Sequence, residues 1–174
     1  MKPANLPTIG RWIMLAFVAW LGTVAAAAAA DVDSGAAAFE RFTFLAGRWT
    51  GGEGEATYAM ELAVIAGGKT VVAREFPGTD HEMTTLYYLR DGELVGQHYC
   101  MLGNQPRYRH QPTADASEVR FVFDGGDNLD PARDAHAHEG YLRLRADGTL
   151  ESTWSFWKDG GESGTESFVM RRVD

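Results

Sequence analysis

The chain has a single cysteine, Cys100, in 174 residues, so no disulfide can form within one copy of it. No long helical pattern follows the apolar run near its N-terminus, and no repeat of 20 to 50 residues is present. Basic residues are also few, with 16 against 24 acidic ones and a formal charge of −8. These deficits exclude a disulfide-held fold, and they argue against nucleic acid or an anionic membrane surface as a partner.

The first thirty residues have the pattern of an export signal. Lys2 and Arg11 give a basic start, Trp12–Gly22 is an apolar run, and small residues follow at Ala25–Ala30. Signal peptidase accepts small residues before the cut, so we expect cleavage after Ala30 and a periplasmic or secreted product. An uncleaved anchor is the alternative, because a span needs roughly 18 apolar residues. The weakly apolar alanine tract favours cleavage, which leaves no stable membrane insertion.

The rest of the chain, residues 31–174, is long enough for one domain with its own core. All 24 acids but only 14 of the 16 basic residues lie in it, so its formal charge is −10. An exported chain without disulfides is held together by that core, which favours burial of Cys100 over a free reactive thiol.

Turn signals punctuate strand-like runs from Arg48 onward. Two Asp-Gly pairs lie between alternating runs and predict hairpins, Met83–Leu102 and Gly140–Lys158. Before them, Ser34 is placed to cap a short helix that runs to Phe42. The spacing predicts an all-β fold, a single antiparallel up-and-down barrel of about nine or ten strands with a short N-terminal helix. A sandwich is the alternative, but hairpin-linked neighbours favour a barrel, whose closure removes exposed edges.

Several motifs resemble known barrel families. Gly47-Arg48-Trp49 resembles the Gly-x-Trp element of calycin-type barrels, and the run from Trp49 to Gly54 is similar to the start of nitrobindin-like proteins. Together with HYCMLGNQPR, HAHEGYLRL and STWSFWKDG, the chain resembles a family of bacterial lipocalin-like domains, often exported, over most of Phe44–Val173. It is distantly similar to nitrobindin-like and fatty-acid-binding barrels. The resemblance implies the same barrel with a helix across one end.

The resemblance also raises haem as a cofactor. Nitrobindin-like proteins use a histidine near the C-terminal end as the axial ligand, but no histidine follows His138 here. Only a strand offset would bring His136 or His138 to a pocket. His98 with Cys100, and His136 with His138, are also pairs two residues apart, and each supplies only two of the four ligands that a structural zinc site needs. We therefore predict no metal site and no cofactor, with haem as the alternative.

The stretch His98–His110 contains the single cysteine, two of the five histidines and two arginines, Arg107 and Arg109. The motif Gly103-Asn104-Gln105-Pro106 is typical of a connection, so the stretch is predicted as strand, turn and strand at a barrel mouth. His98 shares a strand face with Cys100. Arg107 either points inward, where its guanidinium needs an acidic partner or an anionic ligand, or belongs to the surface.

These observations predict an exported, non-catalytic module that binds a small hydrophobic or amphipathic molecule. The predicted ligand-binding residues are His98, Asn104, Arg107 and His138 as polar contacts, with Trp49 and Trp154 as apolar wall. The alternatives are a haem or metal protein and an enzyme for a small substrate with His98 as its base. The sequence contains no nucleophile elbow, phosphate loop or informative carboxylate pair, so we predict no catalytic residue.

Overall fold

The structure is a computed structural model that describes residues 34–52 and 58–173. The predicted signal peptide lies outside the described residues. One helix precedes ten strands: α1 (Gly35–Phe44), β1 (Gly47–Gly51), β2 (Tyr58–Ile65), β3 (Thr70–Glu75), β4 (Met83–Arg90), β5 (Glu93–Tyr99), β6 (Gln105–Gln111), β7 (Glu118–Asp127), β8 (His136–Leu144), β9 (Leu150–Lys158) and β10 (Gly161–Val173).

The ten strands form a closed barrel. Each strand from β2 to β10 pairs antiparallel with its neighbours in the chain, and β1 pairs with both β2 and β10. Closure gives the edge strands hydrogen-bonding partners, which is the advantage that favoured a barrel over a sandwich. The predicted all-β fold with a short N-terminal helix is confirmed.

Helix α1 closes one end of the barrel. The Ser34 hydroxyl caps it by accepting a hydrogen bond of 3.2 Å from the Ala37 amide. The apolar face of the helix is buried, and the Phe42 ring lies 4.4 Å from Tyr87 and 5.8 Å from Phe121 between ring centroids. These three rings fill the barrel interior at the helix end, because Tyr87 and Phe121 also contact each other at 4.9 Å.

The Asp-Gly turns form hairpins as predicted. Asp91 and Gly92 both have positive φ, 53° and 87°, as the tight turn between β4 and β5 requires. In the β8–β9 connection only Gly148 has positive φ, and its amide donates to the Arg145 carbonyl at 2.9 Å. This turn is therefore longer than the one between β4 and β5. Strand β7 continues past a bulge to Asp127, and its last residues pair with the start of β6.

One carboxylate is buried on the outer side of the sheet. The Glu118 side chain is 2% exposed and accepts a hydrogen bond of 2.7 Å from Arg120 Nε. Its second oxygen accepts from the Arg143 guanidinium. Both arginine side chains are about a third exposed, at 35% and 32%, so they remain partly hydrated. The Glu118 carboxylate between them is shielded from water.

Candidate functional site

The barrel end opposite α1 contains a cavity. Its inner chamber has a volume of about 80 Å³ and opens into a wider funnel of about 600 Å³ at the mouth. The two share part of their walls, formed by residues near the mouth ends of β2, β4, β9 and β10. The chamber wall is mainly aromatic: Tyr58, Phe76, Tyr108, Trp154, Phe156 and Phe168. The interior is thus packed at the helix end and hollow at the mouth.

Three polar side chains form a row across neighbouring strands on this wall. Glu75 ends β3, Thr85 lies on β4 and His98 lies on β5. The Thr85 hydroxyl and His98 Nδ1 are joined by a buried hydrogen bond of 2.8 Å. Strand alternation directs these side chains into the barrel. Glu75, for example, shares the face of the buried residues Val71 and Ala73.

Burial moves the pKa values of the two ionisable groups in opposite directions. It raises the pKa of Glu75 to about 8, although a side-chain hydrogen bond with Thr85 opposes the change. It lowers the pKa of His98 to about 4. A buried environment penalises the charged form of each group, so at neutral pH the carboxyl is mostly protonated and the imidazole is neutral.

One atom of this row lacks a partner. Glu75 Oε2 is buried and has no hydrogen-bond partner, whereas the Thr85 hydroxyl is bonded to His98. A buried polar atom without a partner costs free energy, and such atoms are uncommon in folded proteins. In a cavity wall, this makes Glu75 Oε2 the atom where a bound molecule would gain most from a polar contact.

Tyr58 and Glu166 extend the site toward the mouth. The Tyr58 ring stacks on Phe168 at 4.2 Å and meets the Phe76 ring edge-to-face at 4.9 Å. Burial raises the pKa of the Tyr58 hydroxyl well above its usual value, and the charges of Glu75 and Glu166 raise it further. Glu166 lines both the chamber and the funnel and is exposed. The phenol therefore lies within the electrostatic reach of both carboxyl groups.

Two of the residues predicted from the sequence line the chamber. His98 does so as the end of the polar row, and Trp154 does so as apolar wall. The Trp154 ring contacts Tyr108 at 4.9 Å between centroids and stacks on Phe121 at 6.5 Å. Gly140 makes room for it, because a Cβ there would lie 2.4 Å from an indole carbon of Trp154.

Asn104 and Arg107 lie away from the chamber and the funnel. Asn104 is buried in the connection before β6, and its amide nitrogen donates to the Ala135 carbonyl at 2.8 Å. Arg107 is 36% exposed and forms an ion pair of 3.0 Å with Asp127. Of the two orientations considered for Arg107, the structure has the surface one, because Tyr108 and His110 take the buried face of β6.

Trp49 and His138 are also outside the cavity. Trp49 is 1% exposed in the core, where its indole nitrogen donates to the Leu45 carbonyl at 2.8 Å and Arg172 stacks over its ring. His138 stacks on Trp157 at 4.0 Å and is hydrogen-bonded to His136 at 3.1 Å. It lies at a bulge in the β8–β9 pairing, between Ala137 and Glu139, which displaces it from strict alternation.

Glu75 is the site residue that sequence reasoning missed. Its signal was an acid in phase with two apolar residues of one strand, Val71 and Ala73, two positions before a Pro-Gly turn. A strand face with that pattern buries a carboxyl group. Tyr58 and Phe168 were missed because no spacing relates β2 to β10, which are far apart in the chain.

The inner chamber offers one candidate haem ligand. His98 is the single histidine of the chamber wall among the described residues, and its Nδ1 is bonded to Thr85. In the described part of the chain, no group of three or more potential metal-ligating side chains is placed to hold an ion.

Cys100 lines the mouth and is partly buried. Its Sγ lies 4.0 Å from Met83 Sδ, and burial raises the pKa of the thiol. A raised pKa reduces the fraction of reactive thiolate.

The fold and site together define a closed antiparallel barrel with an aromatic cavity at its open end. This architecture is consistent with the lipocalin-like barrels that the sequence motifs resemble. No protein-family model matches the chain, and no curated protein matches it. Among the described residues, none of the helical segments has the length and apolar character needed to cross a bilayer.

Proposed function

We propose that this chain is a non-catalytic binding module that holds a small hydrophobic or amphipathic molecule in the mouth cavity. The observation that carries the proposal is a buried carboxyl oxygen without a partner, Glu75 Oε2, in a chamber with six aromatic side chains that opens to solvent. Ligand sites are typically apolar concavities with a few placed polar groups. The same wall would be a poor core, since a core of this kind would contain Leu or Phe in place of Glu75.

The dimensions indicate an elongated occupant. The chamber, at about 80 Å³, has room for a head group or a short chain, and the funnel, at about 600 Å³, is within the range of roughly 300 to 1,000 Å³ of known ligand pockets. Met101 and Leu102, which are 52% and 60% exposed, add apolar surface at the funnel. A ligand with a small polar head and an apolar body uses both compartments.

Binding can be tested by tryptophan fluorescence. Because Trp154 lines the chamber, titration with the neutral probe N-phenyl-1-naphthylamine should quench its emission and enhance that of the probe. Trp154→Phe should reduce the energy transfer more than Trp157→Phe, since Trp154 lines the chamber and Trp157 stacks on His138 outside the cavity. Ala137→Leu should weaken binding about tenfold or more by filling the chamber wall. Saturable binding that is insensitive to Ala137→Leu would place the ligand elsewhere and contradict the proposal.

A second candidate is an enzyme that uses general acid–base chemistry. It is supported by the opposite pKa changes of Glu75, to about 8, and His98, to about 4, on either side of Thr85. Groups tuned in this way can act as acid and base at neutral pH. Turnover of small esters or carbonyl compounds should then show a plateau between about pH 4 and 8 and be lost in both Glu75→Gln and His98→Gln. Activity that survives either substitution would exclude this candidate.

Export and family membership are part of the same proposal. The basic start, apolar run and alanine tract support cleavage after Ala30, and the barrel supports a lipocalin-like family. N-terminal sequencing of the protein recovered from the host's periplasm or medium tests the export. A mature chain that begins at Asp31 is expected, and a full-length chain in the membrane fraction would contradict cleavage.

A further inference from the structure

We propose that the mouth cavity selects amphiphiles with a protonated amine head group over fatty acids and over neutral amphiphiles of the same length. This inference rests on the proposed binding function and deepens it. The ammonium group would bind at Glu75, with the aromatic side chains around Tyr58 beside it and the apolar body in the funnel.

The charges of the cavity support a cation. Its wall contains two carboxyl groups, Glu75 in the chamber and Glu166 near the mouth. None of the described residues that line the cavity is a lysine or an arginine. The nearest basic neighbour along β3, Arg74, is on the outer face, where it pairs with Glu61 and Glu82 at 3.2 and 2.6 Å. A bound carboxylate would therefore meet no basic side chain in the cavity wall, and the acid Glu166 would lie near it at the mouth.

The other titratable groups at the cavity do not replace a counter-ion. His98 is buried and neutral, with its Nδ1 bonded to Thr85, and the Cys100 thiol is partly buried. His81 lies at the exposed rim of the funnel and not in the chamber. A fatty acid head group that entered the chamber would lose its hydration without a charged partner, which is costly.

The aromatic wall favours the same class of ligand. Tyr58 stacks on Phe168 and meets Phe76 edge-to-face, so that π-faces and ring edges surround the approach to the chamber. A cation over an aromatic face is attracted by the ring quadrupole, and most strongly where water is excluded. A neutral alcohol gains only the apolar part of this contact.

The buried, unpartnered Oε2 of Glu75 is the independent observation that points to a ligand. An N–H of an ammonium group would give it a charge-assisted hydrogen bond. Since burial holds the pKa of Glu75 at about 8, amine binding near pH 7 converts the carboxyl to carboxylate. The ammonium ion keeps its proton, and the Glu75 proton passes to the buffer. Ionisation one pH unit below the pKa lowers affinity by about tenfold, which the ion pair has to offset.

The test compares octylamine, 1-octanol and octanoate by isothermal titration at pH 7 on the full chain. We expect octylamine to bind at least about tenfold more tightly than 1-octanol, and octanoate to bind most weakly. Repeating the octylamine titration in phosphate and Tris, which differ in ionisation enthalpy, should reveal the release of nearly one proton for each amine bound. This proton count is measured on the wild-type protein, so it does not require that any variant folds.

Variants locate the effect. Glu75→Gln should remove both the preference for octylamine over 1-octanol and the proton release that accompanies octylamine binding. Glu166→Gln, at the exposed mouth, should retain the proton release. If 1-octanol or octanoate binds as tightly as octylamine, or if no proton is released, the amine selectivity is refuted and the binding function stands. If none of the three binds, both proposals fail.

Discussion

Replacement of Glu75 by glutamine should change how the stability of the barrel depends on pH. Burial raises the pKa of this carboxyl from 4.5 to about 8 in the folded state. Between these two values the folded protein binds more protons than the unfolded chain, so its stability falls as pH rises. At about 1.4 kcal/mol for each pH unit, the loss attributable to Glu75 approaches 5 kcal/mol by pH 8 and is absent below pH 4.5. Glutamine keeps the shape and cannot ionise.

Urea unfolding of wild type and Glu75→Gln from pH 4.5 to 9 measures this loss, because the other titrating groups cancel in the difference. The two proteins should agree within about 1 kcal/mol at pH 4.5, and the variant should be the more stable at pH 9 by several kcal/mol. Glu166→Gln is the matched control, because it makes the same substitution at an exposed position of the same cavity. Parallel stability curves for wild type and Glu75→Gln would refute the burial of an ionisable Glu75.

Three further predictions concern the wall and the supporting sheet. Burial lowers the pKa of His98 from 6.5 to about 4, so the unfolded chain takes up this proton at a higher pH than the folded protein does. The unfolding free energy of wild type should therefore fall by about 3 kcal/mol between pH 6.5 and 4, and acid unfolding curves of His98→Gln should lack that fall. Glu118→Gln should lower the unfolding free energy by about 2 kcal/mol at pH 7, because two arginine hydrogen bonds lose their charged acceptor, and an unchanged urea midpoint would contradict this. Gly140→Ala should cost about 2 kcal/mol and shift Trp154 emission, since the new Cβ overlaps the indole, whereas Gly164→Ala, with open space around it, should do neither.

The elements near each other in the chain were predictable because their signals are local. The Ser34 cap and the Asp91-Gly92 turn each depend on the φ and hydrogen-bonding preferences of a few residues, and both appear as expected. Strand alternation alone predicted that the side chains of His98 and Cys100 face the same way, and both line the cavity. The end of β7 at Asp127 has no local signal, because polar residues continue a ladder where their partners are available in β6.

The candidate site was only partly predictable, for a reason of geometry. A residue such as Arg107 is assigned to the inside or the outside by the register of its strand, and a bulge beside it disrupts the simple alternation. Asn104 and Trp49 are buried away from the cavity, and their residue types do not distinguish such a position from a cavity wall. His138 is held by a stack on the outer side of β9, which no one-dimensional spacing describes.

The sequence by itself determined the strands, their turns and the antiparallel barrel, because alternation and turn chemistry act over a few residues and hairpin links leave closure as the way to remove edges. The tertiary structure decided which end is filled and which is open. It also placed Glu75 beside Thr85 and His98 and brought β2 and β10 together around them. Those contacts depend on how far the strands are staggered around the closed barrel, a quantity that belongs to the whole sheet and to no single segment of the chain.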